Sequence, residues 1–284
     1  MKKDTVAFLE YLADSKGRSP NTLAAYRNDL NQLVTITEIS GGDGVIESND
    51  ELLKNYLFSL RDRKYSPATV ARKVASAKSF FKFMVDMGKS KNNPARGLLS
   101  PKIKKHVPSV LSPSEFHRLL AEPVKLSTPE AKRDKVMLEL LYATGLRVTE
   151  LVSLDTKDIN LEQGYLYCSH GNSRRQVPFD YHIAKLLKDF INGDRFELLY
   201  DEKEKALFLN RLCKRLTRQG FWEIVKNYAA KAELGGKVTP RALRHSFAAY
   251  KLQTGVELRD VQQLLGHAYI SSTKVYEQMR PTLR

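Results

Sequence analysis

Cysteine is nearly absent: two residues in 284, Cys168 and Cys213, with neither a C-x-x-C pair nor any other metal-ligand spacing. A disulfide framework and a zinc site are therefore not expected, and two inert thiols in a reducing compartment are. No apolar run reaches the roughly 18 residues that a membrane span needs. Mean hydropathy is −0.41, and no basic amphipathic anchor stands in for a span. Neither end carries a recognisable signal peptide or lipidation motif, so the expectation is a soluble cytoplasmic protein with no membrane partner. No G-x-x-x-x-G-K-[ST] suggests nucleotide hydrolysis, and no acidic cluster of the two-metal kind appears. Acidic residues are also in deficit. Against 47 Lys and Arg stand 32 Asp and Glu, a formal net charge of +15, and such a surplus calls for a polyanion, most often nucleic acid.

What is present is helix, with room for two domains. Ser19-Pro20, Ser66-Pro67, Ser112-Pro113, Thr128-Pro129 and Thr239-Pro240 each set a hydroxyl at an N-cap and a proline at the first helical position, where the missing N–H costs nothing. Glu115 follows Ser112 at capping-box spacing. Val70, Val74, Ala77, Phe81, Met84 and Val85 form one stripe of helical period, and Ile183, Leu186, Leu187, Phe190 and Ile191 form another. The exception is "GYLYCSHGNSRRQVPF", where Tyr165, Tyr167 and Val177 flank a Gly-Asn-Ser turn, which predicts a short β-hairpin with a basic returning strand. Prolines and lysines replace apolar periodicity over residues 97–111, so we read 1–96 as one domain, 97–111 as a linker and 112–284 as a second domain. Lys102, Lys104 and Lys105 in the linker either rest against phosphates or form a solvated basic tether.

Candidate chemistry gathers in the C-terminal part. "ATGLRVTEL" sets Arg147 after a Thr-Gly turn that ends the apolar helix through Val136, Met137, Leu140 and Leu141. In "TPRALRHSF", Leu243 and Phe247 anchor a helix whose adjoining side carries Arg241, Arg244 and His245. "VQQLLGHAYISSTKVYEQM" ends a helix at Gly266, presents His267 in the turn, and restarts at Ser271 or Ser272 to carry Tyr276. Taken singly, each has a bland reading as surface charge or packing. Together, two arginines whose forks match phosphate oxygens, a histidine and a tyrosyl hydroxyl are the parts needed to attack a phosphodiester without a metal.

"ATGLRVTELVSL", "TPRALRHSFAAYKLQTGVELRDVQQLLGH" and "STKVY" resemble the active-site boxes of the tyrosine recombinases (phage integrase family), nearest the Xer site-specific recombinases. "FLEYLADSKGRSPNTLAAYRNDLNQL" resembles the start of their N-terminal domain. The resemblance implies a mainly α protein with a small β-hairpin, built from a helical, SAM-like core-binding domain and an α+β catalytic domain. It implies Tyr276 as a nucleophile forming a 3′-phosphotyrosyl link, Arg147 and Arg244 as clamps on the nonbridging oxygens, and His267 as a further donor. No cofactor, metal or ATP is implied. The implied partners are double-stranded DNA, with four protomers on two recombination sites at the nucleoid; a partner recombinase or a DNA translocase is left open. The implied task is resolving chromosome or plasmid multimers at dif-like sites, the alternatives being a mobile-element integrase or a DNA-binding protein whose catalysis has decayed.

Two positions depart from the family pattern. Arg241 stands where relatives carry histidine or lysine, and it is a poor proton shuttle. Ser169-His170-Gly171 stands where the hairpin usually reads Gly-Lys-Gly, so His170 is the expected general acid, the alternatives being Arg174, Arg175 or a lysine from elsewhere, or slow cleavage; the two arginines are also candidate DNA contacts. Eight residues follow Tyr276, fewer than the C-terminal helix that relatives exchange between subunits, which makes that coupling an open expectation.

Overall fold

The computed structural model describes residues 2–39, 50–103, 108–170, 173–201 and 203–277. The chain divides into two compact units, Met1–Lys105 and His106–Arg284. The first holds α1 (Lys2–Asp14), α2 (Pro20–Ile39), α3 (Asp50–Asp62) and α4 (Pro67–Asp86). Their apolar faces close on Phe8, Leu30, Leu33, Tyr56, Phe80 and Phe81, and the predicted stripe of α4 lies in this core from Val70 to Met84, with Val85 half-buried outside it. A charge pair is taken inside, Asp29 with Lys73. Asp29 is 1 % exposed and accepts from Lys73 Nζ and Ser76 Oγ, both at 2.9 Å, and from Arg72, so the buried carboxylate is paired and hydrogen-bonded.

The second unit begins with α5 (Pro113–Val124), α6 (Pro129–Thr144) and α7 (Val148–Ser153). Three short antiparallel strands follow, β1 (Ile159–Asn160), β2 (Tyr165–His170) and β3 (Ser173–Pro178), in the order β1-β2-β3. Leu166 pairs with Val177 and Cys168 with Arg175. Then come α8 (Tyr181–Asp189), a wide turn leading into α9 (Arg195–Glu197), α10 (Arg218–Lys231), α11 (Pro240–Gln253), α12 (Leu258–Leu265) and α13 (Ser271–Lys274). The centre is α6, whose Met137, Leu138, Leu140 and Leu141 are all fully buried. A helical stretch with consecutive turns buried must be covered on more than one side, and α5 and α11 pack against it.

The hydroxyl-proline caps form as expected. Ser66, Ser112, Thr128 and Thr239 each accept from the backbone N–H three residues on, and Ser112 with Glu115 completes a capping box. Ser19 does the same for α2 at 3.3 Å.

Three features go beyond the sequence reading or differ from it. Stretch 97–111 is packed at both ends, with Leu98 in the first core and Leu111 in the second, because one apolar side chain anchors a segment without any periodicity. Helix α13 stops at Lys274, so Tyr276 sits in the following turn, its ring drawn into a cluster with Phe247, Leu252, Val261 and Leu265. The hairpin also gains β1 as a third strand, too short to leave a period-two signal.

Candidate active site

Two helix ends build the site. Helix α6 ends at Gly145, which adopts φ 60°, a left-handed conformation costly for any residue with a Cβ. A Cβ there would also stand 2.3 Å from Phe247 Cδ1 on α11. This turn delivers Arg147 to the start of α7. Helix α12 ends in the same way at Gly266, φ 61°, where a Cβ would lie 2.8 Å from Arg175 Nη1. The N–H of His267 bonds back to Gln262 O at 3.1 Å, holding the histidine just past the helix end.

Arginines tie these ends together. Arg147 Nη2 donates to Gly266 O at 2.6 Å. Arg244, 8 % exposed, donates to Gly145 O at 2.5 Å and to Leu265 O at 2.7 Å. Carbonyls left over at a helix C-terminus carry partial negative charge, and guanidinium groups complement it.

Beneath them lies a carboxylate that the sequence reading passed over. Glu150 has no exposed surface. It accepts from the N–H of Arg147 at 2.7 Å, from Arg147 Nη1 at 2.8 Å, and from Arg175 Nη1 and Nη2 at 2.5 and 2.9 Å, with Arg244 Nη1 at 4.0 Å. Burial alone would raise its pKa, but the Arg175 and Arg147 contacts outweigh burial and hold it at about 2. Its signal was the R-x-x-E spacing at the start of a helix, the same arithmetic as a capping box. Three guanidiniums against one carboxylate leave two positive charges uncompensated, the electrostatic complement of a phosphodiester with its flanking phosphates.

An open cleft of about 750 Å³ gathers Arg147, Arg241, Arg244, His245, His267 and Tyr276. His267 Nδ1 lies 2.9 Å from Thr273 Oγ1, leaving Nε2 as its other hydrogen-bonding atom. Burial and the neighbouring Arg244, Arg147 and Arg175 bring its pKa down to about 4, so the ring is neutral at pH 7. Tyr276 is 2 % exposed, its hydroxyl 2.5 Å from His245 Nδ1. Burial raises its pKa, partly opposed by Arg244 and Arg241, so it rests as a phenol. These groups can bind a tetrahedral anion and bring a hydroxyl nucleophile to its edge.

Arg174 is exposed on β3, its guanidinium 4.1 Å above the Tyr167 ring. Arg175, one residue on, faces the other side of the strand and turns inward to Glu150 and to Leu264 O. It supports the site instead of offering a free surface to DNA, since alternate residues of a strand face opposite ways. His170 ends β2 with its backbone paired to Ser173; its side chain lies outside the described residues. Lys102 is exposed, and Lys104 and Lys105 also lie outside the described residues. Among the described residues no cluster of His, Cys, Asp or Glu could hold a metal ion, and no helix is long and apolar enough to cross a membrane.

Residues 109–282 match the phage integrase family, and residues 6–88 match the phage integrase N-terminal SAM-like domain. A tyrosine recombinase XerC of Roseiflexus sp. (strain RS-1) is 43 % identical over 280 residues, covering 97 % of this chain and 89 % of the relative. The chain is a tyrosine recombinase of the phage integrase family. Tyrosine recombinase XerD of Oceanobacillus iheyensis is 38 % identical over 272 residues, covering 95 % of this recombinase and 91 % of the relative. Among solved structures, the XerH site-specific recombinase bound to a palindromic difH substrate in a post-cleavage complex shares the fold. Its TM-score is 0.75 at 21 % identity, over 98 % of this chain and 92 % of that one. This recombinase is accordingly an enzyme of a family that cuts and rejoins DNA in site-specific recombination, with no need of metal or ATP.

Proposed function

We propose that this recombinase resolves chromosome or plasmid multimers on double-stranded DNA at dif-like sites, as a homotetramer holding two sites at the nucleoid. Tyr276 attacks phosphorus and stores the broken phosphodiester as a 3′-phosphotyrosyl link. Arg147 and Arg244 hold the nonbridging oxygens, His267 donates to the same phosphate, and Arg241 adds a further cationic contact. His170 supplies the proton to the leaving 5′-oxygen. Arg174 and Lys102 contact flanking phosphates, as do Lys104 and Lys105. The units on either side of the 97–111 segment act as core-binding and catalytic domains.

One observation carries this reading: Arg147, Arg241, Arg244, His267 and Tyr276 line a single cleft. Donors aimed at developing charge there work as an oxyanion hole does, where losing one typically costs about 10²–10³ in rate. Because the energy of the phosphodiester is kept in the covalent link, the strand can be rejoined without an external energy source. The names of the XerC and XerD relatives and the difH duplex in the XerH complex favour the Xer task.

A supercoiled plasmid carrying two directly repeated dif-like sites tests it. The protein should release two circles, and Tyr276→Phe should release none. Binding of the site with neither circles nor covalent adduct would point to a non-catalytic DNA-binding protein.

A further inference from the structure

Arg241 occupies the position where the resembled family carries a histidine or lysine, which leaves Tyr276 without an evident proton acceptor. The structure puts a different imidazole on the hydroxyl. His245 lies one turn after Arg241 on α11, and its Nδ1 is 2.5 Å from Tyr276 Oη. Its other ring nitrogen, Nε2, receives the Arg241 Nε–H at 3.1 Å.

That second contact decides the tautomer. An arginine Nε–H can only donate, so His245 Nε2 must present its lone pair. In the neutral ring the hydrogen then sits on Nδ1 and is donated to Tyr276 Oη. Burial, with Arg241 and Arg244 beside it, holds the His245 pKa down to about 4, so the ring is neutral at pH 7. The charged or titratable groups around it are Arg241 and Arg244 from its own helix, His267 from the turn after α12, and Tyr276 from the turn after α13. In this arrangement His245 cannot take the proton of Tyr276.

Resting on the reading of Tyr276 as nucleophile, we propose that His245 is the proton acceptor for Tyr276, and that Arg241 locks it in the non-accepting tautomer until a phosphate enters the cleft. Arg241 is exposed and lines the cleft. A phosphate oxygen is a charged acceptor, and hydrogen bonds to charged acceptors are roughly twice as strong as neutral ones, so a phosphate wins the arginine from the imidazole. Nε2 then takes a proton from one water while Nδ1 releases its own to another, so that the ring stays neutral, and the lone pair on Nδ1 faces Oη. In the cleavage step the Oη proton passes to Nδ1 and an Oη lone pair forms the bond to phosphorus. The P–O5′ bond breaks with its electron pair on the 5′-oxygen, which takes one proton from His170 or water. When a 5′-hydroxyl attacks the link, His245 returns its proton to the departing tyrosyl oxygen. DNA occupancy and nucleophile activation are thereby coupled through one arginine.

Nitrogen-15 NMR of histidine-labelled protein reads the lock directly, with only 6 histidines to assign. The free protein should show His245 as the Nδ1–H tautomer, and Arg241→Ala should convert it to Nε2–H. An Nε2–H tautomer in the free wild-type protein contradicts the proposal without any variant having to fold. Kinetics separate base from acid. On a suicide duplex that wild type cleaves, His245→Gln should slow adduct formation by about 10²–10⁴-fold and remove the acidic limb of the pH–rate profile. The same loss should persist with a 5′-bridging sulfur, whose thiolate leaves without a proton, whereas a His170→Ala defect should disappear. His245→Asn and the retained duplex affinity of both variants control for folding. A defect of His245→Gln erased by the sulfur, or a near-wild-type rate, overturns the proposal while Tyr276→Phe still abolishes the adduct. An adduct surviving in Tyr276→Phe overturns the underlying reading instead.

Discussion

Glu150 shows how one side chain organises the site. It is fully buried and held by Arg147 and Arg175, and removing one partner of such a pair typically costs about 3–5 kcal/mol because the others stay buried unpaired. Glu150→Ala should lower the unfolding free energy by about that much in urea titrations, with adduct formation falling as Arg147 loses its support. The histidines predict a pH dependence. His245 and His267 are both held near pKa 4, below the unfolded value of about 6.5. The unfolded chain therefore binds more protons between these limits, and stability falls as pH drops through that window. The thermal midpoint should drop between pH 7 and pH 5, and drop less in His267→Gln. At this scale the sequence made Arg147, Arg244, His267 and Tyr276 legible through motifs that name residues. The hydrogen bonds from His245 and Thr273 were not legible, because they depend on where the chain's last turns come to rest.

At the scale of elements, the two left-handed glycines set the geometry. Gly145→Ala adds strain of about 1–3 kcal/mol and drives a methyl into Phe247, so both stability and cleavage should fall. Gly88→Ala is the control: it too has positive φ, at 67°, but nothing lies within 4 Å of its added Cβ, so it should cost strain alone and leave adduct formation intact. Helix starts were readable because Ser-Pro and Thr-Pro caps act on the next few residues. The two-residue β1 and the early stop of α13 were not readable. One is too short for a period, and the other is decided by the burial of the Tyr276 ring against Phe247 and Leu265.

For the whole molecule, the charge of +15 makes phosphate contacts the main expected source of duplex affinity. Log K should fall with log salt by about 0.9 for each phosphate neutralised. Arg174→Ala should reduce that slope by about 0.9 and weaken binding to all sequences alike. Each unit has its own core, so residues 106–284 alone should unfold cooperatively in a denaturant titration. The central claim is that Tyr276 takes the DNA strand onto itself. Incubating the protein with a nicked suicide duplex in EDTA and without ATP, then resolving the products on a denaturing gel, tests it most directly. The account predicts a covalent protein–DNA band that vanishes in Tyr276→Phe; a band that persists in that variant, or none from wild type on a duplex it binds, would contradict it.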